Sequence, residues 1–308
     1  MQIFHHWRDP APTDKGASVA LGNFDGVHRG HQRVIDLARL PDAPLGIICF
    51  EPHPREFFTP DAPPFRLMSA ETRANRLARL GVQHLYQLPF GRELSSLSAD
   101  EFARDVLSQG LGVRHVVVGA DFCFGKGRQG TAGDLERLGR DLGFKVTIAP
   151  LLAEGDRVFS STAIRRAITD GRPRDAADML GHWHRIDGEV LHGEKRGREL
   201  GYPTANMSIT GLHPPRFGVY AVLVDVPDGP QQGQYHGVAS IGVRPMFGEN
   251  LPNLESHLFD FKGDLYGRHL SVALIAHLRD EMRFDSLDGL ITQMDADSAQ
   301  ARAILDAL

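Results

Sequence analysis

Two histidines, His28 and His31, stand in a glycine-rich stretch whose residue types suit phosphate binding. The stretch covers residues 21–32 and reads LGNFDGVHRGHQ, between a short apolar run and the start of a helix. Glycines let backbone N–H groups approach an anion closely, and the first turn of a helix adds unpaired N–H donors and the positive end of its dipole. Because a spacing of three places both imidazoles on one face of a helix, with Gly30 keeping that face open, the stretch predicts an anion site.

Other interpretations of this histidine pair stay open at this point. The stretch contains neither the G-x-x-x-x-G-K-[ST] phosphate loop nor the G-x-G-x-x-G dinucleotide fingerprint. The two imidazoles could be solvated side chains, or they could form half of a zinc site with Cys49 or Cys123. Each cysteine lies in an apolar segment, which favours a reduced core thiol over a disulfide or a metal ligand.

The residues around the histidines must be positioned by the fold of the first half of the chain. Short apolar runs alternate there with amphipathic helical stretches, a pattern typical of βαβ units on a parallel sheet. A capping box at Ser98 and a closing Gly110 predict one helix, and Ser69 and Gly81 bracket another. Ligands of such sheets bind at the carboxyl ends of the strands. The predicted strands are 19–21, 45–50, 84–88, 115–119 and 145–149.

The loop after the fourth predicted strand also has side chains suited to a nucleotide. Residues 118–130 combine aromatic rings with glycines and two cations, and Asp121 precedes the rings. Phe124 can lie against a flat ring while Lys126 or Arg128 contacts a phosphate. By itself the loop is equally typical of a mobile surface segment.

A hydroxyl cluster further along the chain offers a second phosphate contact. Ser161 and Thr162 stand at the predicted start of a helix, and Arg165 follows one turn later. Hydroxyls at such positions are most often helix caps. At the ligand-binding edge of a nucleotide fold, the same hydroxyls, helix N–H groups and arginine would form a clamp for a leaving phosphate group.

The second half of the chain has a different periodicity. Apolar and polar residues alternate from residue 186 onward, which predicts a small antiparallel barrel or sandwich. Ser286 opens a closing helix that carries four apolar side chains on one face, Leu287, Leu290, Ile291 and Met294. The predicted strands are 186–191, 218–226, 234–241, 255–261 and 269–278.

We place the boundary between the two halves near residue 182, which gives domains 1–182 and 183–308. His182 and His184 flank Trp183 at this joint and could be taken for a metal pair. A linker that is anchored by one buried tryptophan explains them without a function. We therefore expect Trp183 to be the buried residue of the three.

Two short oxygen-bearing side chains mark the chemistry of the second half. Residues 193–206 form a glycine-rich cationic loop that ends in Thr204 and Asn206, on one side of an extended segment. Mg²⁺ prefers oxygen ligands and keeps several waters, so a hydroxyl and an amide beside ATP phosphates are a chemically sensible pair. A polar strand edge without a metal is the alternative.

Composition limits the partners. The 308 residues are enough for two domains, and 42% are hydrophobic, 24% are charged and the formal net charge is −5. This charge provides no general basic field for nucleic acid. No apolar run approaches the roughly 20 residues of a membrane span, and the N-terminus lacks the layout of a signal peptide. We expect a cytoplasmic protein with no nucleic-acid or membrane partner.

Together, these motifs resemble the bifunctional riboflavin kinase/FAD synthetase family of bacteria. The sequences GNFDGVHRGH and SSTAIR are similar to its nucleotidyltransferase half, and GYPTAN is similar to its kinase signature. Residues 218–221 (GVYA), 255–258 (ESHL) and 278–281 (LRDE) resemble further landmarks, so the resemblance covers nearly the whole chain. Ser240, where asparagine is commoner, and Met246, where threonine is expected, depart from the family pattern and put local substrate contacts in doubt.

The resemblance implies a Rossmann-like nucleotidyltransferase domain with a parallel sheet, followed by a small antiparallel β-barrel of the riboflavin kinase type with a closing helix. It also implies two reactions. The second domain would phosphorylate riboflavin with ATP to give FMN, and the first would transfer the adenylyl group of ATP to FMN, giving FAD and pyrophosphate. Mg²⁺ or another divalent cation would assist, and the other partners would be these small molecules.

The resemblance also assigns roles to single residues. For adenylyl transfer these are Gly22, Asn23, Asp25, His28, Gly30, His31, Ser161, Thr162 and Arg165 at the phosphates, and Asp121 and Phe124 at the flavin or adenine. For the kinase they are Gly197, Gly201 and Pro203 at ATP, Thr204 and Asn206 at the metal, Glu255 as the base, and Arg279 and Phe284 at the flavin.

Two other functions stay open on the sequence alone. One is an adenylyltransferase for another small phosphate acceptor, and the PTAN stretch together with Glu255 argues against it. The other is a flavin carrier without turnover, which would not need phosphate and metal chemistry in both halves. We expect a monomer or a weak homo-oligomer.

Overall fold

The computed structural model describes residues 1–150, 153–154, 157–192, 201–246 and 249–308. The chain packs into two compact units. The first unit consists of Met1–Ala62 and Arg73–Ser160, and the second consists of Pro63–Thr72 and Ser161–Leu308.

A six-stranded sheet forms the centre of the first unit, and all its neighbouring strands are parallel. Its spatial order is β1-β4-β3-β2-β5-β8. The five predicted strands are confirmed, and only the short β1 was not predicted. The strands of the sheet are β1 (Gln2–Phe4), β2 (Ser18–Leu21), β3 (Leu45–Glu51), β4 (His84–Pro89), β5 (His115–Gly119) and β8 (Lys145–Ala149).

Four shorter strands make two antiparallel pairs outside this sheet, β6 (Cys123–Phe124) with β7 (Gly130–Thr131) and β9 (Ala153–Glu154) with β10 (Arg157–Val158). The helices in this part of the chain are α1 (Arg29–Leu37), α2 (Pro54–Phe58), α3 (Ala70–Arg79), α4 (Arg92–Ser95), α5 (Ala99–Glu101) and α6 (Ala132–Leu142). A π-helix, Phe102–Gly110, continues from α5, and two short 3-10 turns cover Pro12–Asp14 and Lys126–Arg128.

Local sequence explains where these elements begin and end. Ser98 Oγ accepts a hydrogen bond from the Glu101 N–H at 3.2 Å, and the Glu101 carboxylate accepts one from the Ser98 N–H at 2.8 Å, so the predicted capping box is confirmed. The side chains of β2 are all buried, as in a parallel sheet that is covered on both faces. Because the glycine-rich turn follows β2 in the sequence, it lies at the carboxyl edge of the sheet, where ligands of this fold class bind.

A six-stranded antiparallel sheet forms the second unit, in the order β11-β16-β13-β14-β15-β12. Its strands are β11 (Arg185–Glu189), β12 (Ala205–Ser208), β13 (Gly218–Val226), β14 (Gly233–Met246), β15 (Glu249–Leu258) and β16 (His269–Arg279). The Leu191 N–H donates to the Asn206 carbonyl at 2.8 Å, which joins the end of β11 to β12 and nearly closes the sheet into a barrel. The predicted antiparallel barrel is confirmed, although β14 and β15 extend toward each other beyond their predicted ends.

The described residues of this unit form the helices α7 (Ser161–Thr169), α8 (Pro173–Leu180) and the closing helix α9 (Leu287–Leu305). Ser286 caps α9 as predicted, since its hydroxyl accepts from the Gly289 N–H at 3.1 Å. Of the predicted apolar face, Leu287 is 56% exposed, and Leu290, Ile291 and Met294 are only half-buried. The helix instead buries Asp297, Ala301 and Leu305 in its C-terminal half, where small side chains allow close packing on the barrel.

The expectation for the joint near residue 182 was wrong about which residue is buried. His184 is 3% exposed, whereas Trp183 is only partly buried. The ring Nε2 of His184 lies 3.0 Å from the Leu67 carbonyl oxygen and must donate to it. Burial lowers the pKa of His184 to about 4, so the ring is neutral at neutral pH.

Candidate active sites

The two histidines of the glycine-rich turn meet face to face. His28 lies outside the helix as the N-cap of α1, and its Nδ1 accepts from the His31 N–H at 3.2 Å. The ring centroids are 3.6 Å apart with an interplanar angle of 17°. The structure thus brings the two imidazoles together, but through a helix cap and ring stacking instead of a shared helical face.

Both imidazoles are held in a poorly solvated place. His28 is 7% exposed, and His31 Nδ1 is buried without a hydrogen-bond partner in the described structure. Burial lowers the pKa of His31 well below its ordinary value, and the adjacent His28 lowers it further. A bound polyphosphate would act in the opposite direction, because a nearby negative charge favours the imidazolium form.

Gly30 is required by the position of the His28 ring. A Cβ at Gly30 would lie 3.0 Å from His28 Cε1 and 3.1 Å from its Nδ1, so a larger residue would displace the imidazole. The turn before it is strained, since Phe24 and Val27 have φ angles of 53° and 44°. Non-glycine residues in this conformation are concentrated at functional sites.

The turn also holds the other predicted phosphate contacts of the first unit. Gly22 donates its N–H to the Ile48 carbonyl at 3.1 Å, which ties the start of the turn to β3. Asp25 is 6% exposed. The Asn23 side-chain oxygen is buried, and the described structure gives it no hydrogen-bond partner.

Arg73, on α3, is a residue of this site that no sequence motif marks. It is 3% exposed, and it donates from Nη1 to the Asn23 carbonyl at 3.3 Å and from Nη2 to the Glu51 carboxylate at 3.0 Å. Its Nε is buried without a partner among the described residues. In sequence it is one of several arginines on an amphipathic helix, so only the fold distinguishes it.

Three buried polar atoms without partners therefore surround one turn, namely Asn23 Oδ1, His31 Nδ1 and Arg73 Nε. Buried polar groups in folded proteins nearly always have hydrogen-bond partners. A group of unsatisfied donors and acceptors at the carboxyl edge of a parallel sheet is typical of a ligand site.

The aromatic loop after β5 is arranged differently from the expectation. Phe124 is 6% exposed and packs in the core, tilted against Phe102 at 5.7 Å and stacked on Phe122 at 5.7 Å. Phe122 is only partly buried, and Asp121 is exposed. Phe122 is therefore the more accessible ring of this loop, and Phe124 supports it from below.

The predicted pyrophosphate clamp belongs to the second unit. Ser161 is the first residue of α7, and Thr162 is exposed. Arg165 donates from Nε to the Phe65 carbonyl, and its guanidinium lies 5.2 Å from the centre of the Phe65 ring. These contacts are internal to the second unit, so the joining of this clamp to the histidine pair stays a prediction.

In the barrel, the register of the strands assembles the predicted kinase residues. Asn206 of β12 lies directly opposite Glu255 of β15, and Ser240 of β14 lies directly opposite Glu255 on the other side. Directly opposed residues have Cβ atoms about 5 Å apart and point to the same face. That face is the outer one, because the alternate residues Met207 and Leu254 are buried in the barrel core.

The Glu255 carboxylate is oriented by a neighbour on its own strand. Asn253, which is 2% exposed, donates from Nδ2 to Glu255 Oε1 at 3.3 Å. The departure at Ser240 lies beside this carboxylate, where serine offers a shorter hydrogen-bonding group than asparagine. The side chain of Met246, the other departure, lies outside the described part of the chain.

The segment that leads into β12 is held by polar contacts. Gly201 has a φ of 80°, which favours glycine. The Pro203 carbonyl accepts from His257 Nδ1 at 2.9 Å, and the Tyr202 hydroxyl donates to Asp295 of α9. Thr204 follows as a half-buried residue next to β12. Gly197, the remaining predicted ATP contact, lies outside the described residues.

The structure brings together the two predicted flavin contacts. Arg279 ends β16, and its guanidinium carbon lies 5.8 Å from the centre of the Phe284 ring.

A cleft of about 630 Å³ elsewhere in the second unit is lined by Pro173, Trp183, His277 and Ile304 among others. No described residue of either predicted site lines this cleft.

The described residues hold no group of three or more His, Cys, Asp or Glu side chains that could bind a metal ion. Cys49 and Cys123 do not form a disulfide. In the part of the chain that the structure describes, no helix has the length and apolar character needed to cross a membrane.

A parallel α/β unit with a glycine-rich turn at the carboxyl end of β2 and an antiparallel barrel with a carboxylate opposite an amide are features of a nucleotide-using transferase of two parts. The family model of FAD synthetase matches residues 11–163, and that of riboflavin kinase matches residues 180–305. The chain belongs to the bifunctional riboflavin kinase/FMN adenylyltransferase family, which confirms the resemblance seen in the sequence.

Relatives of that name match along nearly the whole chain. The protein from Pseudomonas fluorescens is 44% identical over 99% of this chain and 98% of its own length. The protein from Escherichia coli (strain K12) is 39% identical over 96% of this chain and 95% of its own. A solved structure from Streptococcus pneumoniae, described as a macrolide-efflux protein, has a TM-score of 0.82 at 32% identity and covers 98% of both chains.

Proposed function

We propose that this chain makes FAD from riboflavin in two steps, with the kinase reaction in residues 183–308 and adenylyl transfer in residues 1–182. Members of its family carry both activities in their name. The observation that carries the proposal is that both family models match one chain, each over the half that contains the corresponding predicted site.

For the kinase reaction, Glu255 is the catalytic base. It accepts the proton of the ribityl hydroxyl of riboflavin as that oxygen attacks the γ-phosphorus of ATP, and the bond from that phosphorus to the bridging oxygen of ADP breaks. The products are FMN and ADP. The hydrogen bond from Asn253 supports this role, because it orients the carboxylate.

The donor set beside Glu255 fits a magnesium ion. Thr204 offers a hydroxyl oxygen, and Asn206, which is 8% exposed, offers an amide oxygen on the face of Glu255. Mg²⁺ favours such hard oxygen ligands and keeps waters and substrate phosphates in its remaining positions. When bound there, the ion would supply positive charge to the phosphates of ATP.

For adenylyl transfer, positioning and charge matter more than a base. A phosphate oxygen of FMN attacks the α-phosphorus of a second ATP, the bond to the β-phosphate oxygen breaks, and pyrophosphate leaves. The nucleophile is already charged at neutral pH, so no proton has to be removed. We assign His28, His31 and the turn from Gly22 to Asp25 to the triphosphate, and Ser161, Thr162 and Arg165 to the departing pyrophosphate.

The flavin or adenine ring is assigned to the loop after β5. The accessible Phe122 provides the surface, Phe124 supports it, and Asp121 offers a carboxylate at its edge. This assignment modifies the expectation for Phe124, which the structure buries at 6% exposure.

Product analysis by chromatography tests the proposal. The purified protein is incubated with riboflavin, ATP and Mg²⁺ in one tube, and with FMN in place of riboflavin in a second. We expect FMN and then FAD in the first tube and FAD in the second. FMN alone in the first tube and no FAD in the second would indicate an adenylyltransferase site for another phosphate acceptor. No product in either tube would favour a flavin carrier.

A further inference from the structure

A buried carboxylate on the closing helix has no place in the two reactions described so far. Asp297 is 4% exposed, although it lies on a helix packed against the outside of the barrel. Aspartate is almost never so buried unless it is paired. Its partner is Arg279, one of the two predicted flavin contacts.

The pairing holds the guanidinium in one orientation. Arg279 Nε lies 3.0 Å from both oxygens of Asp297, and Nη2 donates to Oδ2 at 2.8 Å. Gln293 Nε2 donates to Oδ1 at 2.8 Å and fixes the carboxylate from one turn earlier in α9. Arg279 Nη1 donates to the Asp280 carbonyl at 3.0 Å. Of the five N–H donors of an arginine, these contacts use three and leave two on the terminal nitrogens.

Docking of the helix does not explain this buried pair. The helix end is attached by Ala301 and Leu305 in an apolar cluster and by exposed pairs, Arg302 with Asp260 and Asp306 with His236. Removing two charges from water costs free energy that their attraction often only balances, so a buried ion pair is a poor means of stabilisation. Besides helping to attach the helix, the pair with Asp297 holds the Arg279 guanidinium in a fixed direction.

The oriented guanidinium lies against an aromatic ring at the end of β16. Phe284 lies under it at 5.8 Å, in the segment that joins β16 to α9. A planar cation next to a ring offers a flat surface, and its remaining N–H groups can bond to carbonyl oxygens. The ring system of riboflavin is flat and carries carbonyl groups at its edge.

We propose that Asp297 is a positioning residue for riboflavin: it holds the Arg279 guanidinium over Phe284, and that surface forms one wall of the flavin site of the kinase. This inference rests on the proposed kinase function. It assigns to α9 a share in substrate affinity, with no part in the transfer of the phosphate.

The test compares Asp297→Asn with Asp306→Asn, a matched carboxylate-to-amide change in an exposed pair at the C-cap of the same helix. Riboflavin binding is followed by quenching of flavin fluorescence, which needs no turnover, and KM values are measured for riboflavin and ATP. We expect Asp297→Asn to weaken riboflavin binding and raise its KM by about tenfold to a hundredfold. We expect the KM for ATP to stay within about twofold and Asp306→Asn to behave as wild type.

Asp297→Asn is also combined with Arg279→Met in a double variant, to show that Asp297 acts through Arg279. In that background Asp297→Asn should have no further effect on riboflavin binding, because the group it positions is gone. An equal loss in both backgrounds would overturn the inference, as would an unchanged riboflavin affinity or a parallel rise in both KM values. If Asp297→Asn does not fold, Asp297→Glu is used instead. It retains the charge but moves the carboxylate by one methylene group, which changes the direction of the Arg279 guanidinium. Riboflavin binding as tight as in wild type would again overturn the inference.

Wild-type controls separate this inference from the proposed function. Wild-type protein that makes no FMN contradicts the kinase function itself. Wild-type protein that makes FMN, together with an Asp297→Asn variant of normal riboflavin affinity, contradicts only the role of Asp297. Conversion of FMN to FAD by each variant reports that the first unit is intact.

Discussion

The histidine site and the barrel site are assembled in different ways. The first uses residues 22–31, which are neighbours in sequence and share one turn and one helix start, with Arg73 as its distant support. The second takes Asn206, Ser240 and Glu255 from three strands, and their proximity depends on the register of β12, β14 and β15. A contiguous site can be recognised from a motif, whereas a site made by register needs the pairing of the whole sheet.

Because each site is assigned to a different reaction, each variant has an internal control in the other reaction. A variant that lowers one activity and preserves the other supports the separation of the two sites. A variant that lowers both would break the comparison.

The largest effect is expected for Glu255→Gln. Loss of a general base typically lowers the rate by about 10²- to 10⁴-fold, so formation of FMN from riboflavin should fall by that factor. Conversion of FMN to FAD should stay unchanged. Initial rates with riboflavin or FMN as substrate check this, and a variant that retains more than a tenth of the kinase rate would remove Glu255 from its role as base.

His31→Ala is expected to lower adenylyl transfer on the order of a hundredfold, because it removes a group that we assign to the charged phosphates in the transition state. The riboflavin kinase rate should not change. Asp36→Ala, at an exposed position of the same helix, is the control. FAD formation within a few-fold of wild type in folded His31→Ala would refute the assignment.

Arg73→Met sharpens the comparison, because Arg73 supports the contiguous site from a distance. Loss of its bond to the Asn23 carbonyl should loosen the turn and raise the KM for ATP in adenylyl transfer by about tenfold. The KM for ATP should rise less in Arg73→Lys, which keeps a positive charge. Arg79 is exposed on the same helix, and Arg79→Met should leave the KM for ATP unchanged. Equal KM values for wild type and Arg73→Met would show that the turn keeps its shape without this contact.

The smallest effect on activity is expected for His184→Gln, which should change the pH dependence of stability. The pKa of His184 is about 4 in the folded protein and near 6.5 in an unfolded chain, so the unfolded state binds more protons between these values. Stability is therefore lost as the pH falls from about 6.5 to 4, by on the order of 3 kcal/mol for this group.

Urea denaturation of wild type and His184→Gln at several pH values between 4 and 7 measures this contribution. The stability of the variant should depend less on pH in that range, whatever its stability at pH 7. Parallel curves for the two proteins would show that another group is responsible for the acid sensitivity.

Local patterns in the sequence predicted much of this protein. The apolar runs located the strands of the parallel sheet, and Ser98 and Ser286 were correctly identified as helix caps. The stretches around His28 and Thr204 were sufficient to identify the family. These features depend on neighbours along the chain, whose spacing is a property of the sequence itself.

The sequence could not show which distant side chains meet. Arg73 and Asp297 stand on helices with no motif around them, and their roles come from contacts with Asn23 and Arg279. The sequence of its loop predicted that Phe124 faces a ligand, but the side chain is buried in the core. Burial of this kind follows from which surfaces the other elements cover.

By itself, the sequence determined the fold class, the family and the nature of the groups available for chemistry, and it predicted an anion site at the glycine-rich turn. Only the tertiary structure decided that Asn206 stands opposite Glu255, that His184 is buried instead of Trp183, and that α9 holds Arg279 through a buried carboxylate. The physical reason is that a shift of one residue in strand register would move every side chain to the opposite face. That register is set by the packing of the whole barrel.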